Sequence, residues 1–193
     1  MVVIVMEFTL SLMKNDEREA VSRLVDNGML AAYGCRAYPL PQRVIVAKQS
    51  GRLVGAIAIE RPSAGRLPVH DHYDISGRFG PRDGIRAVQI GRWVGCVKGA
   101  ALALMYEAVR FAKSSGYEWA ISETKPCVVR WFRRNGILLE RVSGSLRWDS
   151  LPEPVIRYYD EPKPVIVALH IRNAMAILGD HVRCCDSRYR FDG

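Results

Sequence analysis

Hydrophobic and polar positions along this chain of 193 residues follow two different periods. Short stretches rich in β-branched residues predict strands, whereas apolar residues three and four positions apart predict helices. A first helix is predicted to begin at a capping box of Asp16 and Glu19 and to end near Gly34. The strongest helical pattern covers residues 98–115, and a shorter one covers residues 127–134. Strands are predicted at residues 2–10, 44–48, 53–60, 85–94, 118–122, 137–142 and 164–171.

The order of these elements indicates the fold class. Residues 49–52 are predicted to form a hairpin turn, and strands alternate with helices after it. This order predicts an α/β protein with a mixed sheet covered by helices on both faces. Residues 62–84 are rich in Gly, Pro, His and Asp and carry little periodicity, so we expect a long functional or mobile loop there. We expect residues 1–182 to form a single domain and residues 183–193 a polar, frayed tail.

The composition, 49% hydrophobic and 25% charged, excludes collagen-like, coiled-coil and disordered classes. The longest apolar runs are far shorter than the roughly 20 residues that a transmembrane helix needs, so no transmembrane segment is predicted. Five scattered cysteines without a C-x-x-C pair suit a reducing compartment and predict a cytoplasmic location. Cys184 and Cys185 follow His181 closely, but we predict no metal site because no second cluster supports this one.

The net charge of +8 has several interpretations. It is compatible with nucleic acid, an acidic membrane surface, an acidic partner protein or a cofactor that carries phosphate. The charge alone does not choose among them.

Residues 51–136 carry a series of motifs whose order resembles the GNAT superfamily of acyltransferases. A strand containing RLVG precedes the central strand AVQIGRWV, and a helix that begins with KGAALA follows. Next come GYEW at a short strand and WFRRNGI at the end of the second helix. The resemblance implies a GNAT-like, mixed and mainly antiparallel central sheet with helices on both faces. It also implies that backbone N–H groups at the start of the long helix bind the pyrophosphate of a pantetheine-bearing acyl donor.

The same resemblance implies the residues that contact the acyl donor. Some of them fall on the superfamily's Q/R-x-x-G-x-G/A signature, although alanines replace its glycines. Backbone N–H groups of the central strand would polarise the thioester carbonyl as an oxyanion site. Without the resemblance, KGAALA indicates only a helix that packs through small residues. The implied donor-binding residues are Trp93, Val94, Gly95, Lys98, Gly99, Ala101 and Ala103.

Three segments are similar to particular branches of the superfamily. The strand from Gln89 to Arg92 resembles the E-x-x-R strand of acyl-homoserine lactone synthases and long-chain N-acyl amino acid synthases. The loop LPVHDHY at residues 67–73 is similar to an insertion in the N-acyl amino acid synthases. The segment YYDEPKPVIV at residues 158–167 is similar to the end of the thermostable haemolysin family.

Three positions depart from these patterns. Gln89 stands where those families carry Glu, and Ala58 stands where lactone synthases carry Arg. Phe132 stands where many acetyltransferases have a Tyr that can protonate the departing thiolate. The departures weaken the assignment to lactone synthases and leave the broader prediction of acyl transfer unchanged.

Acyl transfer to an amine needs a group that removes the proton of the amine. Glu123 follows the strand where donor and acceptor should meet, and Glu60 ends an earlier strand. His70 lies with His72 among aspartates in the long loop. Glu123, Glu60 and His70 are therefore the predicted catalytic residues. The structural alternatives are a solvated strand end for Glu60 and a polar surface loop for the histidines.

Arg92 is a charged residue within an otherwise apolar strand, so it needs a partner or a place at the mouth of a site. We predict that Arg92, with Gln89 on the same strand, binds the acceptor and that Arg92 pairs with a carboxylate on it. The alternative is an arginine on the solvated face of the strand. Arginines at 130, 133 and 134 could dock an acidic carrier protein or could simply face solvent.

These observations predict an N-acyltransferase that moves an acyl group to the amine of a small acceptor such as an amino acid. The acyl chain is either long or short. The co-substrate is acyl-ACP (acyl carrier protein) or acyl-CoA, and no permanently bound cofactor is expected. Three alternatives remain open at this stage. They are an acetyl-CoA-dependent acetyltransferase, a GNAT-like protein that modifies nucleic acid, and a non-catalytic or membrane-active protein like the haemolysins.

Overall fold

A computed structural model describes residues 7–184 and 188–192 of the chain. The strands are β1 (Glu7–Leu12), β2 (Val44–Gln49), β3 (Arg52–Glu60), β4 (Tyr73–Ile75), β5 (Ala87–Gly95), β6 (Trp119–Thr124), β7 (Glu140–Val142), β8 (Gly144–Leu146), β9 (Val165–His170) and β10 (Arg188–Asp192). The α-helices are α1 (Arg18–Tyr33), α2 (Val69–His72), α3 (Ala100–Ser114), α4 (Pro126–Arg134) and α5 (Ile171–Cys184).

Within the described ranges, eight strands form the main sheet in the order β10-β1-β2-β3-β5-β6-β9-β7, and β4 pairs with β8 in a small second sheet. In the main sheet β1 and β10 are parallel, as are β5 and β6, and the other neighbours are antiparallel. Helices α3 and α5 pack together on one face, and α1 packs on the other. The predicted α/β class, with a mixed and mainly antiparallel sheet between helices, is confirmed.

Along β2 and β3 apolar side chains point alternately to the two faces of the sheet, which explains why helices cover both faces. Ile45 and Ile57 belong to the core under α3, whereas Val46 and Ala56 pack against α1 through residues such as Val21. Successive side chains of a strand point to opposite faces, so two apolar rows need a cover on each side. The hydrophobic pattern of the hairpin therefore fixes the layered arrangement of this half of the protein.

The turns follow their predicted chemistry. Gly34 ends α1 in the left-handed region, with φ of 66°, and its N–H donates to the carbonyl of Leu30 at 3.0 Å. In the β2–β3 turn Ser50 and Gly51 both have positive φ, of 49° and 77°. Paired positive φ values suit the twist of a tight hairpin.

The start of α1 differs from the prediction. The helix begins at Arg18 after a 3₁₀ turn, Asn15–Glu17, so the predicted capping box of Asp16 and Glu19 does not form. Instead the carboxylate of Glu17 accepts the backbone N–H of Lys14 at 2.9 Å. The acidic cluster offers several capping registers, and the sequence does not separate them.

The segment between β3 and β5, predicted to be a long functional or mobile loop, contains regular structure instead of a mobile loop. It contains α2 and β4, and β4 pairs with β8, about 70 residues further along the chain by the register of Tyr73 with Leu146. Its apolar residues form a second core with β6 and β9. The buried side chains of this segment are Leu67, Val69, Tyr73, Ile75 and Phe79.

The pairing of β5 with β6 ends early. Its parallel register runs only to Gln89 opposite Ile121. Beyond that point β5 carries a bulge against β3, and Arg92 adopts a φ of 47°, which is uncommon for a residue other than glycine. A bulge bends its strand and locally breaks the ladder. The carboxyl halves of β5 and β6 therefore separate and leave a wedge in the middle of the sheet.

The carboxyl-terminal part is more ordered than expected. Helix α5 covers 14 residues directly after β9, and β10 pairs with β1 in parallel. Part of the segment predicted as a frayed tail thus belongs to the sheet, and a domain limit at residue 182 stays a prediction. Residues 1–6, 185–187 and 193 lie outside the described residues, and they include most of the first predicted strand and Cys185.

Replacing Gly55 on β3 by alanine is expected to destabilise the protein. A Cβ at this position would lie 2.8 Å from Cδ1 of Leu104 and 2.9 Å from the carbonyl oxygen of Val94. Because the second contact is with backbone, a strand must shift, at a cost of about 1–3 kcal/mol in the free energy of unfolding. Urea denaturation measures this cost.

The matched control is Gly91→Ala on the neighbouring strand. No non-neighbouring heavy atom of the described chain lies within 4 Å of a Cβ built at Gly91. We expect this variant to change the free energy of unfolding by about 0.5 kcal/mol at most. Equal destabilisation by the two substitutions would contradict the close approach at Gly55.

Candidate active site

The wedge between β5 and β6 opens into a cavity of about 170 Å³. Its walls come from the two strands, from α4, from the carboxyl end of α1, from residues 36–38, from Pro68, Val69 and His72, and from Val155 and Tyr158. Side chains that can donate or accept hydrogen bonds are concentrated on the two strands, whereas aromatic and apolar side chains form much of the remaining wall. The lining residues discussed below are Tyr33, Tyr38, His72, Gln89, Arg92, Trp93, Glu123, Phe132 and Tyr158.

Glu123 reaches this cavity from β6, just past the last residue that pairs with β5. Its Oε1 accepts the hydroxyl of Tyr73 at 2.8 Å, and its Oε2 accepts the hydroxyl of Tyr159 at 3.1 Å. The hydroxyls of Tyr159 and Tyr38 are 3.2 Å apart, so the hydrogen-bonded chain continues to the opposite wall. The predicted catalytic carboxylate therefore lies at the wedge with both oxygens held in place.

The electrostatic environment gives the Glu123 carboxyl a pKa in the neutral range. Burial raises the pKa of its carboxyl from 4.5 to about 7, and the hydrogen bonds from Tyr73 and Tyr159 and the charge of Lys125 partly oppose this rise. Burial, reinforced by the Glu123 charge, raises the pKa of both tyrosine hydroxyls, so they stay protonated donors. A general base is most effective when its pKa lies near the working pH.

Glu60 and Arg92 are brought together, but as partners of each other. Their side chains form an ion pair in which each is only 15% exposed. Nε of Arg92 also donates to the carbonyl of Tyr38 at 3.2 Å. Glu60 lines a second, more open cavity of about 840 Å³, and Pro68 lines both cavities. The arrangement assigns Glu60 to holding Arg92, and Arg92 remains at the wall where an acceptor could bind.

The two histidines of the 62–84 segment have different surroundings. His70 is 1% exposed, its Nδ1 accepts the N–H of Leu67 at 3.0 Å, and its Nε2 donates to the carbonyl of Phe79 at 2.7 Å. With both ring nitrogens bonded to backbone and no place on the cavity wall, His70 holds the segment together, and its predicted catalytic role is not supported. His72 instead lines the cavity, with its ring stacked on Tyr38 at 5.1 Å.

Gln89 lies on the cavity wall and also forms a hydrogen bond with the 62–84 segment. Its Oε1 accepts the backbone N–H of Val69 at 2.7 Å, at the first residue of α2. The predicted role of Gln89 in acceptor binding stays a prediction.

The predicted donor-binding residues cluster where β5 ends and α3 begins. Nε1 of Trp93 donates to the carbonyl of Ala101 at 2.9 Å, and a Cβ on Gly95 would lie 2.8 Å from the backbone nitrogen of Ala101. Gly99 precedes the helix with φ of 86°. The first N–H groups of a helix have no carbonyl partner within it, so this turn can present N–H donors to an anion.

Not every residue of the predicted signature is available to a donor. Ala103 is 2% exposed, and its N–H donates to the carbonyl of Gly99 at 3.0 Å, so it belongs to the core. The side chain of Val94 packs towards Gly28 of α1, which leaves only its backbone for an oxyanion role. Lys98 is exposed beside the turn.

The tyrosines that hold Glu123 were missed by sequence reasoning. Tyr73 lies in the segment expected to be a loop, and Tyr159 comes from a 3₁₀ segment, Glu153–Tyr159, more than 30 residues after Glu123. Only the similarity of YYD at residues 158–160 to the haemolysin family gave a signal there. That signal pointed to a family and not to contacts with a carboxylate.

Two searches of the described residues concern other functions. Across residues 7–184 and 188–192, three or more His, Cys, Asp or Glu side chains are nowhere grouped as metal ligands. Nor does this part of the chain contain a helix with the length and apolar character to cross a bilayer.

Comparison with known proteins places the fold. No protein-family model matches the sequence, and no curated protein matches it. Solved structures do match. BjaI, a CoA-dependent acyl-homoserine lactone synthase solved with SAM and isopentyl-CoA, has a TM-score of 0.59 at 13% identity, over 96% of this chain and 94% of BjaI.

Two other synthases are similar. The AHL synthase LasI has a TM-score of 0.61 at 11% identity, over 90% of this chain and 95% of LasI. FeeM, an N-acyl amino acid synthase from uncultured soil microbes, has a TM-score of 0.59 at 11% identity, over 86% of this chain and 92% of FeeM. The predicted likeness to this GNAT-like branch is confirmed at the level of the fold. The haemolysin-like segment stays a prediction.

The pKa of Glu123 leads to a test that needs no substrate. Because the pKa is raised in the folded state, the carboxyl contributes stability that is fully present below pH 4.5 and is lost as the pH rises through about 7. The free energy of unfolding of the wild type, relative to Glu123→Gln, should fall by on the order of 2–3 kcal/mol between pH 5 and pH 8. Denaturation at both pH values measures it. A difference independent of pH would show that Glu123 titrates normally.

Proposed function

We propose that the protein is an N-acyltransferase that moves an acyl group from a CoA or acyl-carrier-protein thioester to the amine of a small acceptor such as an amino acid. The observation that carries the proposal is Glu123, a carboxylate with a pKa near 7 at the open wedge of the sheet. The similar structures support the same class, since BjaI was solved with isopentyl-CoA and FeeM is an N-acyl amino acid synthase. A cytoplasmic location is part of the proposal.

The chemistry requires little from the protein beyond positioning and proton transfer. An amine attacks only when unprotonated, and Glu123 takes the proton as the C–N bond forms. Negative charge then develops on the thioester oxygen, where backbone N–H groups between Trp93 and Gly95 would stabilise it. The C–S bond breaks, the thiolate takes up a proton, and an amide and a free thiol leave.

The two substrates would approach from different sides of the wedge. The donor's pyrophosphate would lie at the turn before α3, where Gly99 opens the helix and Lys98 adds a positive charge. The acceptor would lie against Arg92 and Gln89, near the rings of Tyr38 and His72. A carboxylate on the acceptor would compete with Glu60 for the guanidinium of Arg92.

The first test of this function is Glu123→Gln. We expect the variant to lose on the order of 10²–10⁴-fold in kcat/KM, because the amide cannot take the proton of the amine. The assay incubates the protein with acyl-CoA or acyl-ACP and a mixture of amino acids, follows thiol release and identifies the amide by mass spectrometry. Wild-type kcat/KM should rise with pH through a pKa near 7, as Glu123 loses its proton.

Glu60→Gln is the comparison variant because Glu60 is the rival carboxylate. It should alter the KM of the acceptor through its partner Arg92 while the pH profile stays centred near 7. If Glu60→Gln abolishes turnover and Glu123→Gln does not, the roles are reversed. If the wild type forms no amide with either donor, the proposed function is wrong.

A carrier protein as donor has its own test. Arg130, Arg133 and Arg134 are exposed on α4, whose Val128 and Phe132 line the cavity. Reversing the three charges to glutamate should raise the KM for acyl-ACP by about 10-fold or more and leave the KM for acyl-CoA unchanged, because acyl carrier proteins are acidic.

Reversal of Arg52, Arg82 and Arg172, which are also exposed, gives the same net charge and serves as the control. The control should leave both KM values unchanged. Equal effects of the two triple variants would show that net charge acts instead of a docking surface, and no effect on acyl-ACP would remove α4 as the docking site.

A further inference from the structure

Lys125 is a buried lysine next to the site that the proposed mechanism does not use. It follows Glu123 by two residues, at the boundary between β6 and α4, and it is 4% exposed. A buried charge is costly unless hydrogen bonds or other charges replace its hydration. Lysine is also among the residues that are almost never fully buried without a partner. The groups around Lys125 must therefore compensate for the lost hydration of its ammonium.

The ammonium of Lys125 is held by one short piece of chain. Nζ donates to the carbonyl of Asp160 at 2.9 Å and to the carbonyl of Pro162 at 2.8 Å. It also lies 5.0 Å from the ring centroid of Tyr158 and 5.7 Å from that of Tyr33. Carbonyl oxygens and aromatic faces both attract a cation. These contacts tie the segment that begins at Tyr158 to the end of β6.

The same segment supplies contacts to Glu123. The hydroxyl of Tyr159 donates to the carboxylate at 3.1 Å, and the hydroxyl of Tyr158 donates to the backbone carbonyl of Glu123 at 3.4 Å. Lys125 and Glu123 thus hold neighbouring parts of one segment from positions two residues apart, Glu123 on β6 and Lys125 directly after its last residue. Movement of the segment away from Lys125 would also remove Tyr159 from the base.

We infer that Lys125 is a positioning residue for the catalytic base: its ammonium anchors residues 158–162 across the end of β6 so that Tyr159 meets Glu123. The catalytic consequence rests on the proposed function, whereas the structural and electrostatic consequence does not. Lys125 does not itself touch the reacting atoms in this scheme.

Removal of Lys125 should change the pKa of Glu123 in a direction that can be measured. Lys125 lowers the pKa of Glu123 through its charge, and the hydroxyl of Tyr159 lowers it by donating to the carboxylate. Loss of either raises the pKa of Glu123 further above its ordinary range. The ionisable groups that face Glu123 are Tyr73 from β4, Tyr38 from the α1–β2 connection, Tyr158 and Tyr159 from the 3₁₀ segment, and Lys125.

The decisive experiment is a ¹³C NMR titration of the Glu123 carboxyl, assigned by its absence in Glu123→Gln, in three variants. Lys125→Met should shift the midpoint upward from its wild-type value near 7, because both the charge and the anchor are lost. Lys125→Arg should restore a midpoint close to that of the wild type. Lys163→Met removes an exposed lysine of the same region and should leave the midpoint unchanged.

Kinetics then tests the positioning role. Lys125→Met should lower kcat/KM by on the order of 10²-fold, with the pH profile displaced in the same direction as the NMR midpoint, and Lys125→Arg should recover most of the loss. If Lys125→Met is too unstable to purify, Lys125→Gln keeps an N–H donor without the charge and should show a smaller upward shift, because only the charge is fully lost.

An unchanged midpoint in both neutral variants would overturn the inference, and so would equal shifts in Lys125→Met and Lys163→Met. The NMR result also separates this inference from the proposed function. A midpoint shifted further in Lys125→Met than in Lys125→Gln, in a protein without acyltransferase activity, would support the anchor and reject the function, whereas equal shifts in these two variants would leave only the charge effect and overturn the anchor. Normal activity in Lys125→Met with an unshifted profile would support the function and reject the anchor.

Discussion

The separation of β5 from β6 is the constraint on which the site depends. In a continuous sheet the two strands would pair along their whole length, and the ladder would use the backbone N–H and C=O groups on their facing edges. Here pairing stops at Gln89 and Ile121, and the bulge at Arg92 carries the rest of β5 away. The wedge leaves the carboxyl half of β5 without β6 as a partner and places the Glu123 carboxylate of β6 at the cavity. Both are supported by rigid elements, which favours precise positioning.

The chemistry at the wedge depends on a balance of opposing effects on Glu123. Burial favours the neutral acid, while tyrosine donors and a nearby ammonium favour the carboxylate. Without the donors the group would remain protonated at neutral pH, and without the burial it would be too weak a base to deprotonate an amine. The donors come from segments on both sides, with Tyr73 on β4 and Tyr159 after β8. The hydrogen bonds that hold Glu123 therefore form only when the 62–84 segment and the carboxyl-terminal half have both folded.

Sequence reasoning succeeded where the physics is local. The hairpin follows from Ser50 and Gly51, the end of α1 follows from Gly34, and the long helix follows from its apolar period. It failed where long-range contacts decide. The 62–84 segment has no period because its core partners lie on β6, β8 and β9, and the choice between His70 and His72 depends on which side of α2 faces the cavity. Glu123 was found from its place after a strand, but the tyrosines that tune it carry no local signal.

The substitution at Gln89 illustrates how a departure from a family pattern can be read physically. Gln89 accepts the N–H of Val69, which a glutamate could also do, so the insertion would be held equally well by either residue. The two differ in charge. A carboxylate at this position would line the same cavity as Glu123, and nearby like charges disfavour ionisation of both groups. Burial has already raised the pKa of Glu123 to about 7, and a neutral amide at position 89 does not raise it further. In the proposed mechanism Gln89 is thus compatible with a single carboxylate base. The two strands then have different roles, because β5 supplies neutral donors and a guanidinium whereas β6 supplies the base.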